Sequence, residues 1–205
     1  MRTVITKHYD YGQDEIDYLI RVDETLGAAI LRLGKVERVI IPDLFAALMH
    51  AIVGQLISVK AANTVWARME DQFVEISPLH ISMQTPDDIQ RCGMTMKKAV
   101  CIHTIAQMIA QGEFKLDELN GLSDSEVISR LITLSGVGQW TAEMLLINSM
   151  ERRDVLSWGD IAIRRGMMKL YGLSTINRAQ FEQYRLRYSP LGSVASIYLW
   201  EISKE

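Results

Sequence analysis

Two glycines, Gly136 and Gly138, stand either side of Val137 between two stretches whose apolar residues recur at helical spacing. Glycine on both sides of a β-branched residue lets the backbone reverse within a few positions and removes side chains that would hold a ligand off the main chain. The N–H groups of Gly138, Gln139 and Thr141 then open the second helix, where donors without intrahelical partners and the helix dipole favour an anion such as a phosphate. One phosphate of a DNA strand could be held there, although a Gly-x-Gly between helices more often serves only as a packing turn. Further along, Asp160 precedes IAIRRGMMKLY, so its carboxylate can cap a helix that starts at Ile161, and that helix N-terminus favours the charged form. An ionised aspartate in a site can stabilise positive charge as it develops, or orient and deprotonate a water. Trp66, Trp140, Trp158 and Trp200 offer aromatic faces for a flat or cationic group, with core packing as the competing use.

The elements that must position these groups read as helix almost throughout, with apolar residues three and four apart and few alternating runs. Asp43 to Leu56 carries Phe45, Leu48, Met49, Ile52, Val53 and Leu56 on one stripe and follows Pro42, as a core helix would. Helices are expected over Ala61 to Phe73, from Thr85 to a stop at Gly93, and over Lys97 to Ala110. Ser123 with Glu126 is a capping box that starts a helix running towards Ser135. Beyond residue 150 the spacing predicts helices at Ile161 to Tyr171, Asn177 to Tyr188 and Ser193 to Ile202. Asp14 to Gly27 and Ala28 to Leu33 read as helix with a turn between them, Arg2 to Tyr11 as a short strand or arm, and Val36 to Ile41 as an unassigned connector. The fold class is all-α dominated.

Composition narrows the function classes. The chain has 205 residues, 48% hydrophobic and 23% charged, which suits one good core or two small lobes and excludes disorder and collagen. The most apolar stretch, Leu44 to Val59, includes His50, Gln55 and Ser58 and falls short of a membrane span. The first residues carry no apolar export segment, so a cytoplasmic location is expected. Cys92 and Cys101 are too few for a disulfide scaffold, an iron–sulfur cluster or a closed zinc site, and are expected as buried thiols. His8, His50, His80 and His103 lack metal-ligand spacing. A net charge of −3 argues against a non-specific coat on nucleic acid, yet residues 130 to 190 hold nine bases against five acids. Helices also carry such imbalances on solvated faces.

SGVGQWTA closely matches the hairpin of a DNA repair superfamily, and Asp160 follows at the separation that superfamily uses for its catalytic carboxylate. The chain resembles the helix-hairpin-helix DNA glycosylases of the DNA-3-methyladenine glycosylase II type. HAIVGQLISVKAA (50–62), CGMTMKKAVCIHTIA (92–106) and SVASIYLW (193–200) share in the resemblance, which therefore covers most of the chain. It implies two helical lobes, one from residues 1–57 and 151–205 and the other from 58–150, with the helix-hairpin-helix motif at the cleft between them. It also implies a short form of the family, a monomer without a cofactor, and double-stranded DNA containing damaged bases as partner.

A glycosylase must extract a nucleotide, hold its base and stabilise the sugar as the base leaves. The resemblance assigns the last task to Asp160, which here follows Ser157-Trp158-Gly159, a loop that lacks the family's proline and so leaves its rigidity open. Relatives that also cut the backbone place a nucleophilic lysine where this chain has Trp140, which implies an enzyme without lyase activity. Trp140 and Trp200 match pocket tryptophans, with Met144 one turn beyond Trp140; such walls suit alkylated, positively charged purines. Trp66 and Trp158 are read as core. Leu56 matches the family's wedge and Gln55 could contact the opposing base or strand, against the plain reading of Leu56 as core. Gly136, Val137, Gly138, Gln139 and Thr141 would bind the DNA backbone. The backbone carbonyls of Ile132, Leu134 and Val137 match those that hold a structural Na+ or K+ in the family. Gly192 stands where a larger, often basic residue is expected. The alternatives are a glycosylase for another damaged or mismatched base, a damage-sensing module without chemistry, or a helical protein with no nucleic-acid partner.

Overall fold

The computed structural model describes residues 4–205, so Arg2 and Thr3, the start of the expected arm, lie outside the described residues. The first half of the chain gives β1 (Lys7–His8), α1 (Gln13–Val22), α2 (Glu24–Leu33), β2 (Val39–Ile40), α3 (Leu44–Gly54), α4 (Val59–Gln72), α5 (Pro78–Ser82) and α6 (Pro86–Gln90). The second gives α7 (Met96–Ala110), a 3-10 turn (Asp117–Gly121), α8 (Asp124–Leu131), α9 (Gln139–Asn148), α10 (Ile161–Leu170), α11 (Arg178–Tyr188) and α12 (Gly192–Ile202). The two short strands pair with each other. None of the described helices is long and apolar enough to cross a membrane.

The described residues divide into two compact units, one comprising residues 4–7 with Ile40–Met150, the other His8–Val39 with Glu151–Glu205. The expected lobes placed α3 with the chain termini; instead it belongs with the central helices. The reason is its apolar face: Phe45, Leu48, Met49, Ile52 and Val53 are all buried, and α3 packs on α4, α7 and α9. Within this unit α5 and α6 lie against α7, and α8 lies against α9. Leu131 ends α8 four residues short of the expected Ser135, because the N–H groups of Thr133 and Leu134 donate to Arg130 O and Leu131 O and tighten the last turn.

In the second unit the break between α1 and α2 falls at Asp23, not at Gly27. Asp23 caps α2 by accepting from Leu26 N–H at 2.9 Å, whereas Gly27 lies inside α2, where a Cβ would stand 2.9 Å from the Ile20 carbonyl oxygen. The Asp23 carboxylate is buried and also accepts from Tyr171 Oη at 2.7 Å and Arg187 Nη1 at 3.3 Å, and the Tyr171 and Tyr188 hydroxyls lie 2.6 Å apart. Burial pushes both phenols well above the usual tyrosine range. Helices α10 and α12 form the other tight pairing of the unit. At their crossing a Cβ on Gly166 would fall 2.0 Å from Leu199 O, so the approach requires glycine.

Gly166→Ala should therefore force α10 and α12 apart and lower stability by about 1–3 kcal/mol, the usual cost of overpacking. Urea unfolding should show a lower midpoint with an unchanged m-value.

Candidate functional site

In the first unit the turn between α8 and α9 is built around Gly136, whose φ of +79° is left-handed and whose missing Cβ would lie 2.6 Å from Cys101 Sγ on α7. Both features require glycine. Cys101 is buried, and its thiol donates to Ser135 O at 2.8 Å, so it serves as a packing element under the hairpin. Val137 turns inward, with its N–H donating to Leu134 O at 3.1 Å. Gly138 then opens α9 without a side-chain cap, and Gly138 and Gln139 are exposed. Gln139 Nε2 donates to Glu143 Oε1 at 2.8 Å. Trp140 is half-buried, while Thr141 and Met144 are buried.

The end of α3 lies against this hairpin. Gln55 Nε2 donates to Gly136 O at 3.0 Å and to Thr141 Oγ1 at 3.1 Å, so the amide clamps the turn to the first turn of α9. Lys98 Nζ, from α7, donates to Val53 O and Gln55 O, each at 2.7 Å, and so satisfies carbonyls that the end of α3 leaves without helical partners. Burial lowers the pKa of this ammonium. Immediately after these anchors Leu56 takes φ +58°, rare for a residue with a Cβ, and it is fully exposed at 104%. The plain reading of Leu56 as the end of the core stripe does not hold. Once Gln55 leaves the helix, with φ −57° and ψ 130°, the stripe ends and Leu56 is carried outward.

In the second unit Asp160 is the N-cap of α10: its Oδ1 accepts from Ile163 N–H at 2.9 Å and the residue is buried. The loop that delivers it has no proline, and α12 supplies the restraint. Ser193 Oγ accepts from Val155 N–H at 3.0 Å and donates to Arg152 O at 2.5 Å, while Ser196 Oγ donates to Val155 O at 2.9 Å. Asp154 is fixed as well, accepting from Gly192 N–H at 3.0 Å and Ser189 Oγ at 2.6 Å. Gly192 is thus no open position for a basic side chain: a Cβ there would lie 2.8 Å from Asp154 Oδ1, which occupies the space.

The tryptophans separate by environment. Trp66 is buried and meets His50 edge-on at 5.1 Å, as core. Trp158 is not plain core, since it is half-buried with the guanidinium carbons of Arg164 and Arg178 at 4.9 and 5.8 Å from its ring centre. Trp200 is buried in α12 with the Arg38 guanidinium carbon 4.3 Å from its ring centre. The basic excess of residues 130–190 is partly cancelled, because Arg130, Arg153 and Arg187 form ion pairs with Glu118, Glu15 and Asp23, which lie outside that stretch. Among the described residues no three His, Cys, Asp or Glu side chains cluster as metal ligands.

Residues 49–190 match the HhH-GPD superfamily of base excision DNA repair proteins. The chain belongs to that superfamily. It is 33% identical over 167 residues to a DNA-3-methyladenine glycosylase of Schizosaccharomyces pombe, covering 77% of this chain and 71% of the relative. A solved structure of an S. pombe 3-methyladenine DNA glycosylase in complex with abasic DNA superposes with a TM-score of 0.84 at 27% identity, covering 94% of this chain and 98% of that one. A DNA-3-methyladenine glycosidase from Bacillus halodurans superposes with a TM-score of 0.79 at 29% identity, covering 97% and 92%. Against this superfamily background, Lys98, Ser193 and Ser196 are the site-supporting residues that sequence reasoning passed over. The two serines had a signal, being small hydroxyl residues three apart in an otherwise apolar helix; Lys98, beside Lys97, had none.

Two substitutions probe this framework. Leu56→Gly should leave the fold intact and raise stability by up to about 1 kcal/mol in thermal unfolding, because it relieves a left-handed residue that buries nothing. Ser193→Ala should lower stability by about 1–3 kcal/mol in the same measurement, since it leaves the Val155 N–H without its acceptor inside the protein.

Proposed function

We propose that this chain is a monofunctional DNA glycosylase that removes alkylated purines of the 3-methyladenine and 7-methylguanine type from double-stranded DNA. The observation that carries the reading is Asp160, a buried carboxylate held at the head of α10 by a loop bonded to α12. In the proposed reaction the bond from the sugar C1′ to the base nitrogen breaks and its electron pair leaves with the base. Asp160 stabilises the positive charge on the sugar, and a water adds to C1′ as its proton passes to the carboxylate. A base already alkylated at a ring nitrogen is a good leaving group, so little acid assistance is required.

The remaining roles follow from chemistry and position. Leu56, rigidly presented and fully exposed, fills the gap left by the extruded nucleotide. Gln55 holds the hairpin in shape, and its amide hydrogens already serve Gly136 and Thr141, which favours a positioning role over direct reading of the opposing base. The turn from Gly136 to Thr141 takes a DNA phosphate at the head of α9. Trp140, Met144 and Trp200 are assigned to the base pocket. Trp140 stands where a lyase would need an amine, so the product is an abasic site with an intact backbone. The carbonyls of Ile132, Leu134 and Val137 are assigned to a structural Na+ or K+: Ile132 closes α8 at the negative end of its dipole, and carbonyl oxygens suit such a cation. We place the protein in the cytoplasm as a monomer, associated with the nucleoid when on DNA.

Asp160→Asn should lower the rate of base release by about 100-fold or more while DNA affinity stays within about three-fold. The assay is release of free methylated purine from methylated duplex DNA, run with and without alkali. Strand breaks from the wild type without alkali would contradict the absence of lyase activity, and an unaffected Asp160→Asn would remove the carboxylate from the mechanism.

A further inference from the structure

Trp200 lies in α12 with 8% of its surface exposed, and the cation above its indole belongs to the protein itself. The Arg38 guanidinium carbon is 4.3 Å from the ring centre, a stacking distance for a planar cation on an aromatic face. Arg38 is half-buried, immediately before β2, and its backbone is fixed there by Tyr9 N–H, which donates to Arg38 O at 2.8 Å. It also lies within the field of Asp160: burial depresses the guanidinium's pKa and the neighbouring carboxylate partly restores it. One side chain of the second unit therefore brings a fixed positive charge to both the aromatic wall and the carboxylate.

A flat cationic base and a planar guanidinium cannot share that face of the indole, and like charges in so confined a place repel. An uncharged base meets the same steric competition without the repulsion. We propose that Arg38 is a specificity-determining residue, a resident cation on Trp200 that a flipped base must displace and that weighs against positively charged bases relative to neutral ones. The inference rests on the reading of Trp200 as a wall of the base pocket.

The test compares wild type with Arg38→Met, which keeps an apolar stem without the charge, and Arg38→Lys, which keeps the charge. Excision of 7-methylguanine, cationic in DNA, and of ethenoadenine, which is neutral, gives a ratio of kcat/KM values. Arg38→Met should shift that ratio towards 7-methylguanine by about five-fold, and Arg38→Lys should stay within about two-fold of wild type. In parallel, tryptophan fluorescence quenching by 7,9-dimethylguaninium should show about five-fold tighter binding to Arg38→Met, a gain that Trp200→Phe abolishes. An unchanged ratio with unchanged probe binding overturns the proposal, as does a shift towards the neutral base. If the wild type releases neither base while the probe still binds Arg38→Met more tightly through Trp200, the glycosylase reading fails and the role of Arg38 stands. Thermal unfolding of each variant identifies loss of folding, in which case Arg38→Gln replaces Arg38→Met.

Discussion

The first unit is organised by what happens to backbone polar groups where α3 ends. A helix terminus leaves carbonyls with no partner along the chain, and here Lys98 Nζ takes those of Val53 and Gln55 while the Gln55 amide reaches across to Gly136 and Thr141. The result is one connected set of hydrogen bonds joining α3, α7 and the start of α9. Leu56, which follows Gln55 directly, takes a left-handed conformation that its own side chain disfavours and that the anchored segment before it helps to hold. Neither the hairpin nor the exposed leucine would be defined without that set.

The second unit solves a comparable problem with different groups. The twelve-residue loop between α9 and α10, residues 149–160, carries no proline to stiffen it, yet hydroxyls on α12 meet its backbone at Arg152 and Val155, and Asp154 turns back to the head of the same helix. Stiffness normally sought in the composition of a loop is supplied from outside it, by a helix whose remaining surface is buried among apolar neighbours. Asp160 inherits that stiffness through its position at the end of the loop.

How much of this was legible in the sequence varies by the kind of information required. Local signals were sufficient for two caps: Ser123 and Asp160 each accept the N–H bond their types predict. The fold class and the existence of most helices followed from apolar periodicity. The boundary at Asp23 was missed because Gly27 looks like a breaker, and only the approach of Ile20 reveals it as a packing glycine. The short α5 escaped notice because five residues carry too little periodicity to register. The placement of α3, the occupation of the space beside Gly192 and the stacking of Arg38 on Trp200 depend on partners far apart along the chain, which spacing cannot encode. The functional frame came from the resemblance carried by SGVGQWTA and the position of Asp160, and the match of residues 49–190 to the HhH-GPD superfamily agrees with it.

The crossing of α10 and α12 limits how such a site can diversify. Asp160 sits at the head of α10, Trp200 lies one residue beyond Leu199 on α12, and the two helices meet at Gly166 with no room for a methyl group. Sliding one helix to accommodate a different base would break the contact that registers it on the other. On the proposed reading of Trp200 as a pocket wall, new base preferences are therefore most accessible through exchange of side chains such as Arg38 around a stationary backbone, while Gly166 stays fixed.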